Sequence, residues 1–197
     1  MQIEIEKKYN LTETDHNIIK EKCEFIEEVV LKDYYLDKDL VLAKNQTYLR
    51  LRNWIYELKI ISYNPDTKLV SSEEYDDEEE IEKILSKYWI TTDDVTGIMF
   101  IETTRNKYKY IFNWQDLNID VEKYQYWTRY EIEIVYLEEW ENLDRQKKEI
   151  ELNWLIENFR KEIGLSAESD INSIKSITCA MHQNIELYEI MTENIIK

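Results

Sequence analysis

The chain has 197 residues, a length that favours one domain, and 43% of them are hydrophobic, which excludes an intrinsically disordered protein. Its formal net charge of −17 argues against binding nucleic acids or anionic membranes through a general basic surface. The 15 Tyr and 6 Trp outnumber the 4 Phe and carry polar tips that need partners when buried. The composition therefore favours a barrel or cleft with a polar interior.

The first ten residues predict a β-strand with two unlike faces. Side chains alternate between the faces of a strand, so Glu4, Glu6 and Lys8 share one face, opposite an apolar one. This pattern fits a strand whose charged side faces a wet interior. An ordinary edge strand with a solvated charged face is the alternative that these residues alone leave open.

Helical and strand patterns then follow one another along the chain. A capping pattern beginning at Thr12 predicts a helix from about Asp15 to Glu28, and Val29 to Tyr35 predicts a strand. Alternation with a period of two predicts further strands at residues 47–54, 55–61, 71–75, 97–104, 105–114, 117–122 and 130–136. The segments 97–104 and 105–114 could form one continuous ribbon.

The remaining segments predict helices. The acidic run 76–82 leads into one helix, because negative charge is favourable at a helix N-terminus. Residues 138–163 predict another, which ends at Gly164, a residue suited to a helix C-terminus. A last helical stretch starts near residue 170 and continues towards the end of the chain, with a break near Asn184.

About eight strands and three to four helices, without an internal boundary, predict a single α+β domain over residues 1–197. Strands that are mostly sequential favour an antiparallel sheet that is strongly curved or closed. A closed barrel has no free edge, so a monomer is the simpler expectation. The end of the chain beyond about Met191 is expected to fray.

The cysteine content and the chain start predict a cytoplasmic protein. Cys23 and Cys179 lie in unrelated contexts without metal-ligand spacing and are expected to be buried, reduced thiols. No apolar run follows Met1, and no apolar span is long enough for a membrane helix. We therefore expect no signal peptide and no membrane association.

The predicted strands place charges of both signs on one sheet face. Ionised groups removed from water cost several kcal/mol each unless they are paired, so a wet cavity completed by a ligand explains such a face. Carboxylates at two-residue spacing suit Mg²⁺ or Mn²⁺, and Arg forks match phosphate oxygens, so a polyphosphate with a divalent metal would satisfy both. A surface salt bridge is the alternative for any single member, and the preferred one for Lys107 and Lys109. The inward candidates are Glu4, Glu6, Lys8, Arg50, Arg52, Lys59, Arg105, Glu131 and Glu133.

These residues resemble a known family. Glu4-Ile5-Glu6-Lys7-Lys8 is similar to the Glu-x-Glu-x-Lys signature of the CYTH superfamily, the triphosphate tunnel metalloenzymes. Further blocks resemble the thiamine triphosphatase branch of that superfamily in the same order along the chain. They are residues 33–37, 48–52, 54–59, 73–75, 103–105, 119–120, 131–133, 164–167 and 174–175. The resemblance spans roughly residues 1–180.

The resemblance implies a fold and a set of roles. The family fold is an eight-stranded antiparallel β-barrel that forms a triphosphate tunnel with helices outside, in agreement with the strand count. By position, the implied ligands of Mg²⁺, with Mn²⁺ as an alternative, are Glu4, Glu6, Glu131 and Glu133, with Asp120 nearby. The implied triphosphate-binding residues are Lys8, Arg50, Arg52, Arg105 and Lys175. Lys59 paired with Tyr34 would activate the attacking water, and Glu74, with Glu73 as the alternative, would be an acidic residue of the tunnel.

The implied reaction is in-line attack of water on the terminal phosphate of a small triphosphate, first of all thiamine triphosphate, giving thiamine diphosphate and phosphate. Tyr48 stands where the thiamine triphosphatase branch has a stacking Trp, so Tyr48 either stacks on the substrate or is a wall residue. The alternatives are hydrolysis of inorganic tripolyphosphate, of nucleoside triphosphates or of RNA 5′-triphosphate ends, and adenylyl cyclase chemistry. A non-catalytic polyphosphate-binding module is the alternative from a different class.

Overall fold

The computed structural model of the protein describes residues 2–136, 145–169 and 174–196. Its strands are β1 (Gln2–Asn10), β2 (Glu24–Asp37), β3 (Thr47–Arg52), β4 (Ile55–Asn64), β5 (Leu69–Tyr75), β6 (Thr96–Phe112), β7 (Gln115–Tyr124) and β8 (Thr128–Tyr136). Its helices are α1 (Glu13–Lys22), α2 (Val41–Lys44), α3 (Glu78–Ser86), α4 (Arg145–Ile163), α5 (Lys175–Gln183) and α6 (Ile185–Ile196). No helix in these ranges is long and apolar enough to cross a membrane.

The strands form one closed antiparallel barrel in the order β1-β5-β4-β3-β2-β6-β7-β8. The first strand closes the barrel, because β1 pairs with β5 on one side and with β8 on the other. The predicted α+β fold with an eight-stranded closed barrel is confirmed. Strands 97–104 and 105–114 are indeed one ribbon, β6, which pairs with β2 along almost its whole length.

Two hairpins turn through an Asn-Trp pair. Asn53 and Trp54 join β3 to β4 with φ values of 47° and 74°, and Asn113 and Trp114 join β6 to β7 with φ values of 50° and 65°. Positive φ at both central residues is the geometry of the type I′ turn, which fits the twist of paired strands. Asn tolerates this region well, whereas a bulky Trp in the second position is unusual. Both Trp side chains are exposed, by 81% and 99%.

Helices cover the barrel through separate apolar clusters. Ile156 and Phe159 of α4 pack in the cluster that contains Ile5 of β1 and Ile132 of β8. Helix α3 covers another part of the wall, where Ile81 packs with Leu49 of β3 and Leu58 of β4, which alternate with the cavity-lining residues and so lie on the outer face of the barrel. Helices α5 and α6 share a third cluster with β2 and β6. These apolar clusters hold the strands in place, and the charged interior residues lie on those strands.

Helix α1 is shorter than predicted. The prediction of a helix to Glu28 is wrong, since α1 ends at Lys22 and β2 begins at Glu24. The predicted cap is present, because the Thr12 hydroxyl accepts the Asp15 backbone N–H at 3.0 Å. Ile26 and Val30 continue the helical spacing of Ile19 and Cys23, but the backbone of residues 24–28 pairs with β6 instead, and tertiary pairing overrides the local pattern.

The C-terminal part of the chain is helical, as predicted, with the expected break at Asn184 between α5 and α6. The predicted helical residues 138–144 and the start of the last stretch at 170–173 lie outside the described residues. The fraying expected beyond Met191 stays a prediction, and α6 is helical through Ile196. Met191 is buried, and Asn194 donates its side-chain N–H to the Ala43 carbonyl at 2.9 Å, which ties this end to α2.

Candidate functional site in the barrel interior

A cavity of about 130 Å³ lies inside the barrel and is closed on one side by residues of α5 and α6. Most of the predicted site residues line it. The predicted phosphate-binding residues that do so are Lys8, Arg50, Arg52, Arg105 and Lys175. Glu6, Glu131, Lys59, Glu74 and Tyr48 also line the cavity. The sequence thus identified most of a wall that the barrel assembles from distant segments.

Strand alternation brings the β3 residues into this wall. Tyr48, Arg50 and Arg52 are two residues apart and line the cavity together. Across the ladder Tyr48 is opposite Lys59 of β4, and Lys59 is in turn opposite Glu74 of β5. Lys59 and Glu74 form an ion pair. Burial raises the pKa of Tyr48 to about 12, so its ring stays a neutral phenol.

The pairing of Lys59 with Tyr34 is wrong. Tyr34 is on the outer face of β2, where its ring centroid lies 6.2 Å from that of Trp54 and 4.6 Å from that of Phe100. The reason is the period of two, because Tyr35 and not Tyr34 is opposite Arg50 in the β2–β3 register. Tyr35 lines the cavity instead, and burial raises its pKa. The alternation already present in the sequence could have identified it.

A buried and a partly exposed carboxylate, Asp33 and Glu57, hold the two β3 arginines. Arg52 donates from Nε and Nη2 to the two oxygens of Asp33 at 2.6 and 2.8 Å, a bidentate pair. Arg50 donates from Nε to Glu57 Oε2 at 2.7 Å. Burial alone would raise the pKa of Asp33, but the Arg52 hydrogen bonds and the charges of Arg50 and Arg52 hold it well below its usual range. Both guanidinium groups are therefore fixed before any ligand binds.

A second ionic cluster lies on β6, β7 and β8. Arg105 contacts three carboxylates, with Nη1 2.6 Å from Asp120 Oδ2 and Nη2 2.5 Å from Glu122 Oε1 and 3.1 Å from Glu131 Oε1. Arg129 donates to Glu122 from Nε and Nη2 at 2.8 and 2.6 Å, and to Glu131 at 2.8 Å. Arg129 and Glu122 were missed from the sequence. Each lies two residues from a predicted site residue on the same strand, so extending the alternation by one step would have included both.

The protonation equilibria in this cluster are shifted in different directions. Burial raises the pKa of Asp120 to about 7, despite the opposing charge of Arg105. Burial acts in the same sense on Glu131, but the charges of Lys8 and Arg129 outweigh it and lower the pKa to about 2. Burial also lowers the pKa of Lys175 to about 8, an effect that Glu122 opposes and that Arg129 and Arg105 reinforce. Asp120 is thus the acid that most readily takes up a proton.

The predicted metal ligands come from β1, β7 and β8. The backbone register places Glu6 opposite Glu133, and Asp120 opposite Glu131. For Glu4 and Glu133 the structure describes the backbone but not the side chains. Among the side chains that are described, no group of three or more acidic, His or Cys residues is arranged to hold a metal. Glu6 instead pairs with Lys8, and Glu131 with Lys8, Arg105 and Arg129.

The donor set nevertheless fits a hard divalent cation. Carboxylate oxygens are the ligands that Mg²⁺ takes from proteins, usually one or two of them beside water and phosphate. The register brings the backbones of Glu4, Glu6 and Glu133 together on neighbouring strands, and the described carboxylates next to them are engaged by cations. Metal binding at this position would therefore compete with Lys8 for Glu6.

Several solved structures are similar to the chain. A candidate adenylyl cyclase from Hippeastrum, described as having a dominant triphosphatase activity, has a TM-score of 0.63 and 17% identity, covering 95% of this chain and 99% of that protein. A protein from Pyrococcus horikoshii OT3 has a TM-score of 0.56 and 18% identity, covering 83% and 92%. A candidate adenylate cyclase from Bacillus halodurans has a TM-score of 0.53 and 18% identity, covering 89% and 98%.

No protein-family model and no curated protein sequence matches the chain. The similarity to these solved structures is thus one of fold and not of overall sequence. Because the identities are only 17% and 18%, these similarities establish the fold alone: the chain has the closed eight-stranded barrel of these proteins.

Proposed function

We propose that the protein is a metal-dependent triphosphatase that hydrolyses the terminal phosphate of a small triphosphate. The observation that carries the proposal is the concentration of Lys and Arg around an interior cavity in a chain whose net charge is −17. A local positive potential focused by barrel walls can bind a polyanion that the outer surface repels. The fold relative from Hippeastrum with triphosphatase activity supports this class of reaction.

The cationic wall would bind and orient the triphosphate. Arg forks can hold two phosphate oxygens at once, and fixed cations stabilise the charge that develops on the transferred phosphoryl group. Glu6, Glu131 and Asp120, together with Glu4 and Glu133, would hold Mg²⁺. A bound Mg²⁺ would neutralise phosphate charge and help to align the reacting groups.

Water activation falls to Lys59 and Glu74, because Tyr34 is outside the cavity. The two side chains form an ion pair in the wall, next to the arginines of β3. Lys59 would orient a water molecule in line with the terminal phosphorus, and Glu74 would accept its proton. The water oxygen forms the new bond to phosphorus as the bond to the diphosphate leaving group breaks.

Thiamine triphosphate is the substrate that we propose first. Tyr48 lines the cavity and has apolar neighbours in the same wall, including Ile177 of α5 and Met191 of α6. An aromatic ring can stack on the cationic thiazolium of thiamine, although Tyr is a weaker partner than Trp. A cytoplasmic location and a monomeric state remain predictions from the sequence.

Phosphate release with Mg²⁺ from thiamine triphosphate, tripolyphosphate, ATP and GTP tests the proposal. A preference of ~100-fold in kcat/KM for thiamine triphosphate, worth about 2.7 kcal/mol of transition-state discrimination, would support both the reaction and the substrate. Equal or better hydrolysis of tripolyphosphate would keep the reaction and remove the thiamine specificity. Release of pyrophosphate with cyclic AMP from ATP would instead indicate cyclase chemistry. If none of these substrates is turned over, the remaining interpretation is a non-catalytic polyphosphate-binding module.

A further inference from the structure

One buried carboxylate on β7 holds cations from three different elements. Glu122 has no exposed surface, and its Oε1 accepts Arg105 Nε of β6 at 2.9 Å and Lys175 Nζ of α5 at 3.1 Å. Its Oε2 accepts Arg129 Nε of β8 at 2.8 Å. Glu122 is therefore a counter-ion that Arg105, Arg129 and Lys175 share.

These three cations line the cavity, whereas the Glu122 carboxylate lies buried behind them. Arg105 and Lys175 are residues for which the family resemblance implies phosphate binding. Arg129 belongs to the same patch of wall by position and by its shared partner. A terminal phosphate group has three non-bridging oxygens that can accept hydrogen bonds, and the three converging cations could each donate to one of them.

We propose that Arg129, Arg105 and Lys175 together bind one phosphate group of the substrate, and that Glu122 is the counter-ion that holds them while no substrate is bound. The proposal rests on the proposed triphosphatase function and assigns a new residue to the same site. Phosphate and Glu122 then act on the same three cations. Removal of Glu122 therefore strengthens phosphate binding, and removal of Arg129 weakens it.

Opposite effects from two residues in direct contact distinguish this role from a structural one. Loss of either member of a buried ion pair destabilises a fold, so a purely structural role predicts that both variants bind more weakly. Competition between Glu122 and phosphate predicts opposite signs, because Glu122→Gln removes a negative charge from behind the site and Arg129→Gln removes a positive charge from its wall.

The test is isothermal titration calorimetry with sodium tripolyphosphate in EDTA, which measures anion binding without metal and without turnover. Arg129→Gln should weaken binding at least about tenfold, the scale of a lost charge-assisted hydrogen-bond pair. Glu122→Gln should tighten it, and Arg129→Lys should lie between Arg129→Gln and the wild-type protein. Lys32→Gln is the matched charge control, since Lys32 is on the outside of β2 with a side chain that is 55% exposed.

Wild-type affinity in Arg129→Gln, or equal weakening in Arg129→Gln and Glu122→Gln, would overturn the inference. Should Glu122→Gln fail to fold, the comparison of Arg129→Gln, Arg129→Lys and Lys32→Gln still decides it. Thermal unfolding with and without tripolyphosphate gives the same comparison, because an anion that binds the folded state raises Tm. A wild-type protein that binds no tripolyphosphate would overturn the proposed function itself. Wild-type affinity in Arg129→Gln would overturn only the role of Arg129.

Discussion

Lys59 and Glu74 are opposite each other on β4 and β5, and their side chains form an ion pair in the cavity wall. The pair lies beside Tyr48, which is opposite Lys59 on β3. A lysine held by a carboxylate at this position can orient water at the terminal phosphate, so the chemical step and not phosphate binding should depend on it.

Lys59→Ala should lower kcat by about 100-fold or more, the scale of a positioned proton-transfer group, with a much smaller effect on KM. The measurement is steady-state phosphate release over a range of tripolyphosphate or thiamine triphosphate concentrations. Glu74→Gln should show the same division between kcat and KM. A large rise in KM with unchanged kcat would make Lys59 a phosphate-binding residue instead of a water-activating one.

Glu6→Gln and Glu133→Gln should abolish turnover that depends on Mg²⁺ and leave the fold intact. Each substitution removes a negative oxygen donor from the register position where the metal is expected. Phosphate release measures the loss, and far-ultraviolet circular dichroism checks the fold. Glu102→Gln is the control, since Glu102 pairs with Lys32 across the outer face and is half-exposed. Wild-type activity in Glu6→Gln would remove the metal assignment.

Tyr34→Leu and Tyr35→Leu are matched substitutions that compare the outer and the cavity-lining face of β2. Tyr35 lines the cavity, so its loss should lower kcat/KM by about tenfold or more, equivalent to about 1.4 kcal/mol of transition-state stabilisation. Tyr34 contacts Trp54 and Phe100 on the outside, so its loss should leave kcat/KM within about twofold of wild type. A strong defect in Tyr34→Leu with little effect of Tyr35→Leu would restore the assignment that the sequence resemblance implied.

Asp120→Asn should stabilise the metal-free protein at neutral pH. Burial raises the pKa of Asp120 to about 7, above its unfolded value of about 3.9. A raised pKa contributes stability that is complete below the unfolded value and is lost as the pH rises through 7. Between about pH 4 and pH 7 the stability of the folded protein should therefore fall as Asp120 ionises, and the neutral Asn should remove that loss.

Urea unfolding in EDTA at about pH 4.5 and pH 7.5 checks this prediction. The stability difference between Asp120→Asn and wild type should grow with pH. Asp33 and Glu131 have lowered pKa values, so the stability that they contribute is present above about pH 4 and is lost only at lower pH. A variant whose stability difference from wild type is independent of pH would show that Asp120 does not titrate in this window.

The barrel could be predicted from the sequence because its strands alternate clearly. Arg50 and Arg52 on β3, and Glu131 on β8, were assigned to the interior on that basis, and they line the cavity. Arg129 and Glu122 follow the same period, but they fall outside the motifs of the resembling family. The two-residue alternation of the strands thus predicts more of the interior residues than the family motifs do.

Other features depend on contacts that a local pattern does not contain. The four-residue helix α2 begins at Val41, where the Asp37 carboxylate accepts the backbone N–H groups of Leu42 and Ala43 at 3.0 Å each. Residues 24–28 suit a helix as well as a strand, and the ladder with β6 decides between them. Such choices are made by tertiary pairing, which is why the end of α1 was predicted too late.

The position of β1 at the closure of the barrel has a consequence for folding. β1 pairs with β5 and β8, neither of which is its neighbour in sequence, so Glu6 and Lys8 can meet Glu131 only once the chain has been synthesised as far as β8. Contacts between such distant segments slow folding, because a long loop must close before they form. The ladder between β1 and β8 is thus the last that can form, and a triphosphate bound in the cavity would stabilise only the closed barrel.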